Sequence, residues 1–300
     1  MGSGESRHTC WLARVREPDD TLFAQGAPAR WIRIRMPTGQ PPGPDAEVEE
    51  IADPLVWTPE CAKTLHERVV SAAPLEAGLE GPLANYRLDV PMRPQKVIGI
   101  GRNYREHAEE LGNEVPETPL SFLKATSCLL ASGEPLALPA GYERIDMESE
   151  LVVVIGERAR QVAAADAWQY VGGYCLGNDV SNRDLQKADK QWTRAKGSDG
   201  FGPVGPFIRL TEPGFVPPLS QMKICGYLND TRVQEGACDQ MIFDIPTLIE
   251  HLSASLTLEV GDLIYTGTPA GVSALGPGDR VRIELEGFAL APLSNPVVRA

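Results

Sequence analysis

Positive charge is scarce in this sequence: 28 Lys and Arg against 41 Asp and Glu leave a formal net charge of −13 and a pI near 4.9. A surface of that sign repels phosphate backbones and anionic lipid headgroups, so neither nucleic acid nor a membrane is expected as a partner. Long apolar runs are also missing. Stretches such as Leu151 to Gly156 fall far short of the roughly 20 residues that cross about 30 Å of hydrocarbon. Closely spaced cysteine pairs are absent: the six cysteines, at 10, 61, 128, 175, 225 and 238, form no C-x-x-C. That spacing argues against a zinc knuckle or a disulfide framework and suits a reducing compartment. The first residues carry Glu5, Glu17, Asp19 and Asp20 and no apolar core. Neither a secretory signal nor a transit peptide is expected from them, and a cytoplasmic location is the expectation.

What is present is enough for a large core: 300 residues, 42% of them hydrophobic. Residues 1–93 read as a small α+β module, in which strand-like pieces alternate with turn-rich segments such as Thr38 to Pro44. Arg14-Val-Arg-Glu-Pro18 and Arg33-Ile-Arg-Met-Pro37 echo one another there and predict two exposed strands ending at prolines. The character changes at Lys96, so residues 94–300 read as the main domain. Val97 to Ile100 predicts a strand, and Tyr104 to Leu111 a helix, with Asn103 and Glu106 placed as a capping box and Gly112 as its stop. Further strands are predicted at 149–156, 173–178, 204–210, 223–228, 232–235, 263–266 and 280–285, and Asn229-Asp230 sits between two of them as a hairpin turn. Asp244-Ile-Pro246 opens one clear helix, running to about His251. Strands outnumber helices without regular alternation, which predicts a mixed, mostly β fold rather than a doubly wound parallel sheet.

Gly99-Ile-Gly101, between a strand and a helix, invites a dinucleotide-binding reading. Tyr104 stands where the third glycine of that fingerprint belongs, so the helix cannot pack as the fingerprint requires, and the reading is set aside. Glu148 and Glu150 fall on one face of a strand that runs straight into Leu151 to Gly156. An isolated E-x-E also occurs on solvated strand edges. A strand entering a core, however, is an expensive place for paired carboxylates unless a cation neutralises them, and hard oxygen ligands of this kind suit Mg²⁺, Mn²⁺ or Ca²⁺. Asp179 ends another apolar strand and is either a third ligand or a turn or cap residue. Arg183 and Gln186 follow it, and Lys196 opens a Gly- and Pro-rich stretch that suits a shaped binding loop or a plain surface loop. His107 and Glu110 share a helix face, as a carboxylate-oriented general base or as an ordinary exposed pair; His8, His66 and His251 are read as structural.

In this order, Gly101-Arg-Asn-Tyr-Arg-Glu-His107, Phe122-Leu-Lys124, Asp146-Met-Glu-Ser-Glu-Leu151, Asp179-Val-Ser-Asn-Arg-Asp184, Lys196 with Gly202 to Pro206, and Thr266 to Val272 resemble the catalytic domain of the fumarylacetoacetate hydrolase superfamily. Its short members include acylpyruvate hydrolases, oxaloacetate decarboxylases or tautomerases, and dienedioate isomerases. The resemblance covers about residues 94–298 and implies a mixed β-sheet roll, commonly a homodimer. It implies Glu148, Glu150 and Asp179 as ligands of Mg²⁺ or Mn²⁺, and Arg102, Lys124, Arg183, Gln186 and Thr268 around a small 2-oxo acid substrate. His107 and Glu110 would be the dyad that activates water or moves a proton, with Lys196 stabilising developing negative charge. The implied reaction is metal-dependent hydrolysis of the C–C bond of an acylpyruvate-type 2,4-dioxo acid through a metal-bound enolate. Decarboxylation or tautomerisation of oxaloacetate-like acids is the alternative. Ser198 replaces the family's usual Phe before Asp199, so that segment is no guide to substrate. The first 30 or so residues precede the point where relatives are expected to begin.

Overall fold

The computed structural model describes residues 8–16, 29–56, 64–76, 78–79 and 81–300. Pro18 and Cys61 lie outside the described residues. The backbone of the fold is an 11-stranded mixed sheet. Its path runs β3 (Glu49–Ile51), β2 (Arg30–Pro37), β1 (His8–Arg16), β13 (Gly202–Leu210), β11 (Val171–Asn178), β10 (Ser149–Ile155), β16 (Leu263–Tyr265), β5 (Val97–Gly101) and β6 (Leu120–Lys124). Two further strands join it from the side, β4 (Arg87–Leu88) on β1 and β7 (Leu129–Ala131) on β13. A five-stranded sheet packs beside it, ordered β15 (Thr231–Ala237), β14 (Lys223–Leu228), β18 (Arg280–Glu286), β19 (Leu293–Arg299) and β8 (Leu136–Leu138). A small third sheet joins β12 (Ser181–Asn182), β9 (Ile145–Met147) and β17 (Ser273–Ala274). The mixed, mostly β architecture expected from the sequence is what the chain adopts.

The apolar run of β10 follows from its position deep in the large sheet. Leu151, Val153 and Ile155 point into one apolar cluster, shared with the five-stranded sheet and α5 (Ile245–Ser255). Val152 and Val154 point into a second, on the opposite face, with Leu65 and Val69 of α1 (Leu65–Val70). A strand covered on both faces reads as a continuous apolar run rather than an alternation. Asp244 caps α5 by accepting the Thr247 N–H at 2.9 Å, as expected, although the helix continues to Ser255, past His251. Asn229 and Asp230 adopt φ of 50° and 65°, the left-handed pair that a tight hairpin between β14 and β15 requires.

Residue 93 is not a boundary of the sheet. Strand β1 pairs with β13, Trp11 opposite Arg209 and Leu12 opposite Ile208, so the N-terminal strands extend the sheet that carries the rest of the chain. The two echoing segments do pair with each other, β1 against β2, but their exposure is corrected: Arg14 and Arg33 are both buried. Arg33 is held inside because its guanidinium caps α1. Its Nη1 donates to the carbonyls of Val69, Val70 and Ala72 at 2.8–3.0 Å, and its Nε donates to Glu49 at 2.8 Å. Replacing Arg33 with Met keeps the volume and removes every donor. The expected outcome is a loss of about 2–4 kcal/mol in chemical unfolding, because buried carbonyls and Glu49 lose their partner together.

Candidate metal centre and active site

Glu148 ends the short crossing from β9 to β10, and Glu150 is the second residue of β10. Asp179 follows directly on β11, the neighbouring strand, and its N–H donates to the Glu148 carbonyl at 2.9 Å. The pairing brings three buried carboxylates together, with one oxygen of each within 4.8 Å of the others. Cations answer two of them. Lys196, on α4 (Thr193–Gly197), places Nζ 2.7 Å from both Glu148 Oε2 and Asp179 Oδ2. Arg183 opens α3 (Arg183–Asp189) and donates from Nη2 to Glu148 Oε1 at 2.7 Å, from Nε to Asp146 at 2.8 Å and from Nη1 to Gln186 at 2.9 Å. Lys124 was expected against the substrate. The structure corrects this: it is buried beneath the triad, its ammonium donating to Asp179 Oδ1 and to the carbonyls of Lys196 and Phe201.

Glu150 is the odd member. Its one hydrogen bond among the described residues comes from the Gly267 N–H at 2.8 Å. Burial, with the Asp179 and Glu148 charges beside it, pushes its carboxyl well above the usual carboxylate range. Glu148 moves the other way, held below that range by Lys196 and Arg183 against the effect of burial. Three hard oxygen donors, one of them on a carboxylate with no ion-pair partner among the described residues, suit a divalent cation such as Mg²⁺ or Mn²⁺. Glu148, Glu150 and Asp179 are the residues that would hold it.

A cavity of about 360 Å³ opens beside the triad, and Arg102, His107, Glu148, Arg183, Gln186, Lys196 and Thr268 all line it. The sequence-predicted residues therefore converge, though not all with free polar groups. The Thr268 hydroxyl already donates to the Ser149 carbonyl at 3.0 Å and accepts from Gln234 at 2.9 Å. Arg102 has no ion-pair partner among the described residues and sits at φ 56°. That region costs a residue other than glycine of order 1–3 kcal/mol, a strain that recurs at functional sites. His107 is buried on α2 (Arg105–Glu110), its Nδ1 3.5 Å from Glu110 Oε2. Nδ1 has no hydrogen-bond partner among the described residues, so it lies near this carboxylate without being bonded to it. Glu110 in turn accepts the Gly271 N–H at 3.1 and 3.2 Å. Burial, aided by the Arg183 and Lys196 charges and opposed by those of Glu148 and Glu110, keeps the imidazole below its ordinary 6.5.

Asn103 does not cap α2; Tyr104 holds the cap position without a side-chain hydrogen bond. The Asn103 amide instead bonds Thr266 and Phe243, at 2.7–3.0 Å, because it is buried between their two segments. The Gly99-x-Gly101 pair also finds its physical reason. A Cβ on Gly99 would lie 2.2 Å from Phe122 Cζ, and one on Gly101 2.3 Å from Trp192 Cζ3. These two rings meet edge to face at 5.1 Å, and Lys196 Nζ lies 5.4 and 5.8 Å from their centroids. Glycine at both positions makes room for the aromatic pair that flanks the lysine, a contribution of about 0.5–2 kcal/mol to a desolvated cation. Sequence reasoning missed Trp192 and Gln234, and it quoted Phe122 in a motif without assigning it a role; the glycine pair is the trace of the two rings.

A family model described as fumarylacetoacetate (FAA) hydrolase C-terminal matches residues 96–298. The chain belongs to the fumarylacetoacetate hydrolase family. Among relatives of this family member, protein Rv2993c of Mycobacterium tuberculosis is 42% identical over 226 residues, 75% of this chain and 84% of that protein. A mitochondrial oxaloacetate tautomerase of Caenorhabditis elegans is 39% identical over 194 residues, 63% and 89% of the two chains. Among solved structures, a 5-carboxymethyl-2-hydroxymuconate delta-isomerase from Mycobacterium smegmatis superposes with a TM-score of 0.75 at 36% identity, covering 97% of this chain and 99% of that one. A maleylpyruvate hydrolase from Sphingobium sp. SYK-6, in complex with manganese(II) and pyruvate, gives 0.69 at 28% identity, covering 97% and 99%. The solved structures reach into the first 30 residues of this chain as well, whereas the two curated relatives cover 75% and 63% of it. No helix among the described residues is long and apolar enough to cross a membrane.

Glu150→Gln separates the two faces of this centre. Without metal the variant should unfold at or above the wild-type temperature, since it replaces a carboxyl disfavoured as an anion. Saturating Mn²⁺ should raise the wild-type midpoint, by about 2.7 kcal/mol of stabilisation at a hundred times the dissociation constant, and should not raise the variant's. Thermal melts with and without Mn²⁺ read both.

Proposed function

We propose that this chain is a divalent-metal-dependent hydrolase that cleaves the C–C bond of an acylpyruvate-type 2,4-dioxo acid. The observation that carries the reading is His107: buried, lining the cavity next to Glu148, held neutral by burial and backed by Glu110. A divalent cation on Glu148, Glu150 and Asp179 supplies Lewis-acid polarisation of the 2-oxo group when bound. The chain's own groups do the rest. Arg102, without an ion-pair partner among the described residues, takes the substrate carboxylate. His107, with Nδ1 3.5 Å from Glu110 Oε2, accepts at Nε2 a proton from the water that adds to the C4 carbonyl. The C3–C4 bond breaks, its electron pair passing to C3 as an enolate that Lys196 stabilises from the cavity wall. Return of the proton to C3 completes a carboxylic acid and pyruvate.

A second reading, decarboxylation or tautomerisation of an oxaloacetate-like 2-oxo acid, is supported by the relative named oxaloacetate tautomerase and another, at 40% identity, named oxaloacetate decarboxylase. It uses the same enolate and differs in what sits at C4. A cytoplasmic homodimer belongs to the same proposal, supported by the resemblance and by five described cysteines that are all free.

Turnover of an acylpyruvate and of oxaloacetate, measured in parallel after EDTA treatment and after Mg²⁺ or Mn²⁺ is restored, distinguishes the readings. Pyruvate release from the acylpyruvate, lost with EDTA and lowered about 10²–10⁴-fold in His107→Ala, is the expected result. Carbon dioxide from oxaloacetate alone would replace it with the second reading. The pH profile gives a further check. A base with a depressed pKa is neutral, hence active, down to below pH 6.5, so the acid limb of kcat/KM should lie under that value. The Glu110 charge raises the His107 pKa, so Glu110→Gln should move that limb lower still.

A further inference from the structure

We propose that Gln234 is the positioning residue of this site: its buried amide ties the backbone between Glu148 and Glu150 to the loop 266–271, and that loop couples the carboxylate triad to the His107–Glu110 pair. The inference rests on the triad being a metal centre. Gln234 lies on β15, in the five-stranded sheet, and is 1% exposed. Its Oε1 accepts the Ser149 N–H at 2.9 Å, and its Nε2 donates to Thr268 Oγ1 at 2.9 Å and to the Pro269 carbonyl at 2.8 Å. Thr268 closes the ring by donating to the Ser149 carbonyl at 3.0 Å. Both backbone polar groups of the residue between the two glutamates are thus fixed from outside the sheet that carries them.

The loop so pinned touches the site at both of its ends. Its Gly267 N–H holds Glu150, the carboxylate with no cation of its own, and its Gly271 N–H holds Glu110 behind His107. The seat is close-fitting: a Cβ on Gly271 would lie 2.0 Å from the Val233 carbonyl oxygen, and one on Gly236 2.4 Å from Pro269 Cβ. On the other side, a Cβ on Gly226, the β14 partner of Gln234, would lie 2.2 Å from Ser149 Oγ, so only glycine lets the metal-side strand approach the second sheet this closely. A buried amide with its oxygen and both N–H groups engaged fixes one arrangement, and its loss leaves the Ser149 N–H and Pro269 carbonyl without that partner.

The test is the Mn²⁺ dissociation constant of the full chain, read without substrate from the electron paramagnetic resonance signal of free Mn²⁺, in wild type, Gln234→Leu, Thr268→Val and the double variant. Groups that orient metal ligands from behind typically change affinity 10–100-fold, and a loss of that size in each single variant is expected. The double variant should bind no more weakly than the weaker single, because both substitutions break one ring. A packing role alone would lower the melting temperature and leave the affinity of the folded protein unchanged. A constant within twofold of wild type in folded Gln234→Leu, or in Thr268→Val should Gln234→Leu not fold, overturns the proposal while leaving the metal centre intact. Losses that multiply in the double variant overturn the ring as the route. Wild-type protein that binds no Mn²⁺ overturns both the metal centre and this inference.

Discussion

Three carboxylates within 4.8 Å of one another, all buried, cannot keep their charges without cations. Much of the surrounding structure follows from that constraint. Lys196 bridges two of them, Lys124 holds Asp179 from below, and Arg183 ties Glu148 to Asp146. Those cations need supports of their own: the Phe122 and Trp192 rings flank Lys196, and glycine at 99 and 101 makes room for the rings. Even with these, Glu150 has no ion-pair partner among the described residues, and a divalent cation held by the three carboxylates would supply one.

The same constraint orders the fold around the site. The strand bearing Glu150 is covered on both faces by apolar clusters, which gives the ligands a rigid base, while the polar end of that strand meets the second sheet at Ser149. Strands and strand ends thus carry the triad, and the short helices α2, α3 and α4, with the loops bearing Arg102 and Thr268, carry the other groups that line the cavity. His107 belongs to that second set. Burial holds its imidazole below the ordinary 6.5, and it lines the cavity together with Glu148.

The sequence by itself singled out the candidate site residues. Glu148 and Glu150 stood out because an apolar run follows them, His107 and Glu110 because of their helical spacing, and the ordered motifs pointed to the family. It also determined the mostly β character, through strand periodicity, and the cap and turn at Asp244 and Asn229-Asp230. What each polar group does with its hydrogen bonds was decided by tertiary structure. Lys124 and Asn103 read as a substrate contact and a helix cap, yet one lies beneath the triad and the other bridges Thr266 and Phe243. Arg33 carries no local sign of being buried, because its partners are the carbonyls of a helix more than thirty residues on. The role of Gln234 depends on two sheets meeting at Ser149, which no spacing along the chain records. Local pattern shows which groups are costly to bury; only long-range packing determines which partners offset that cost.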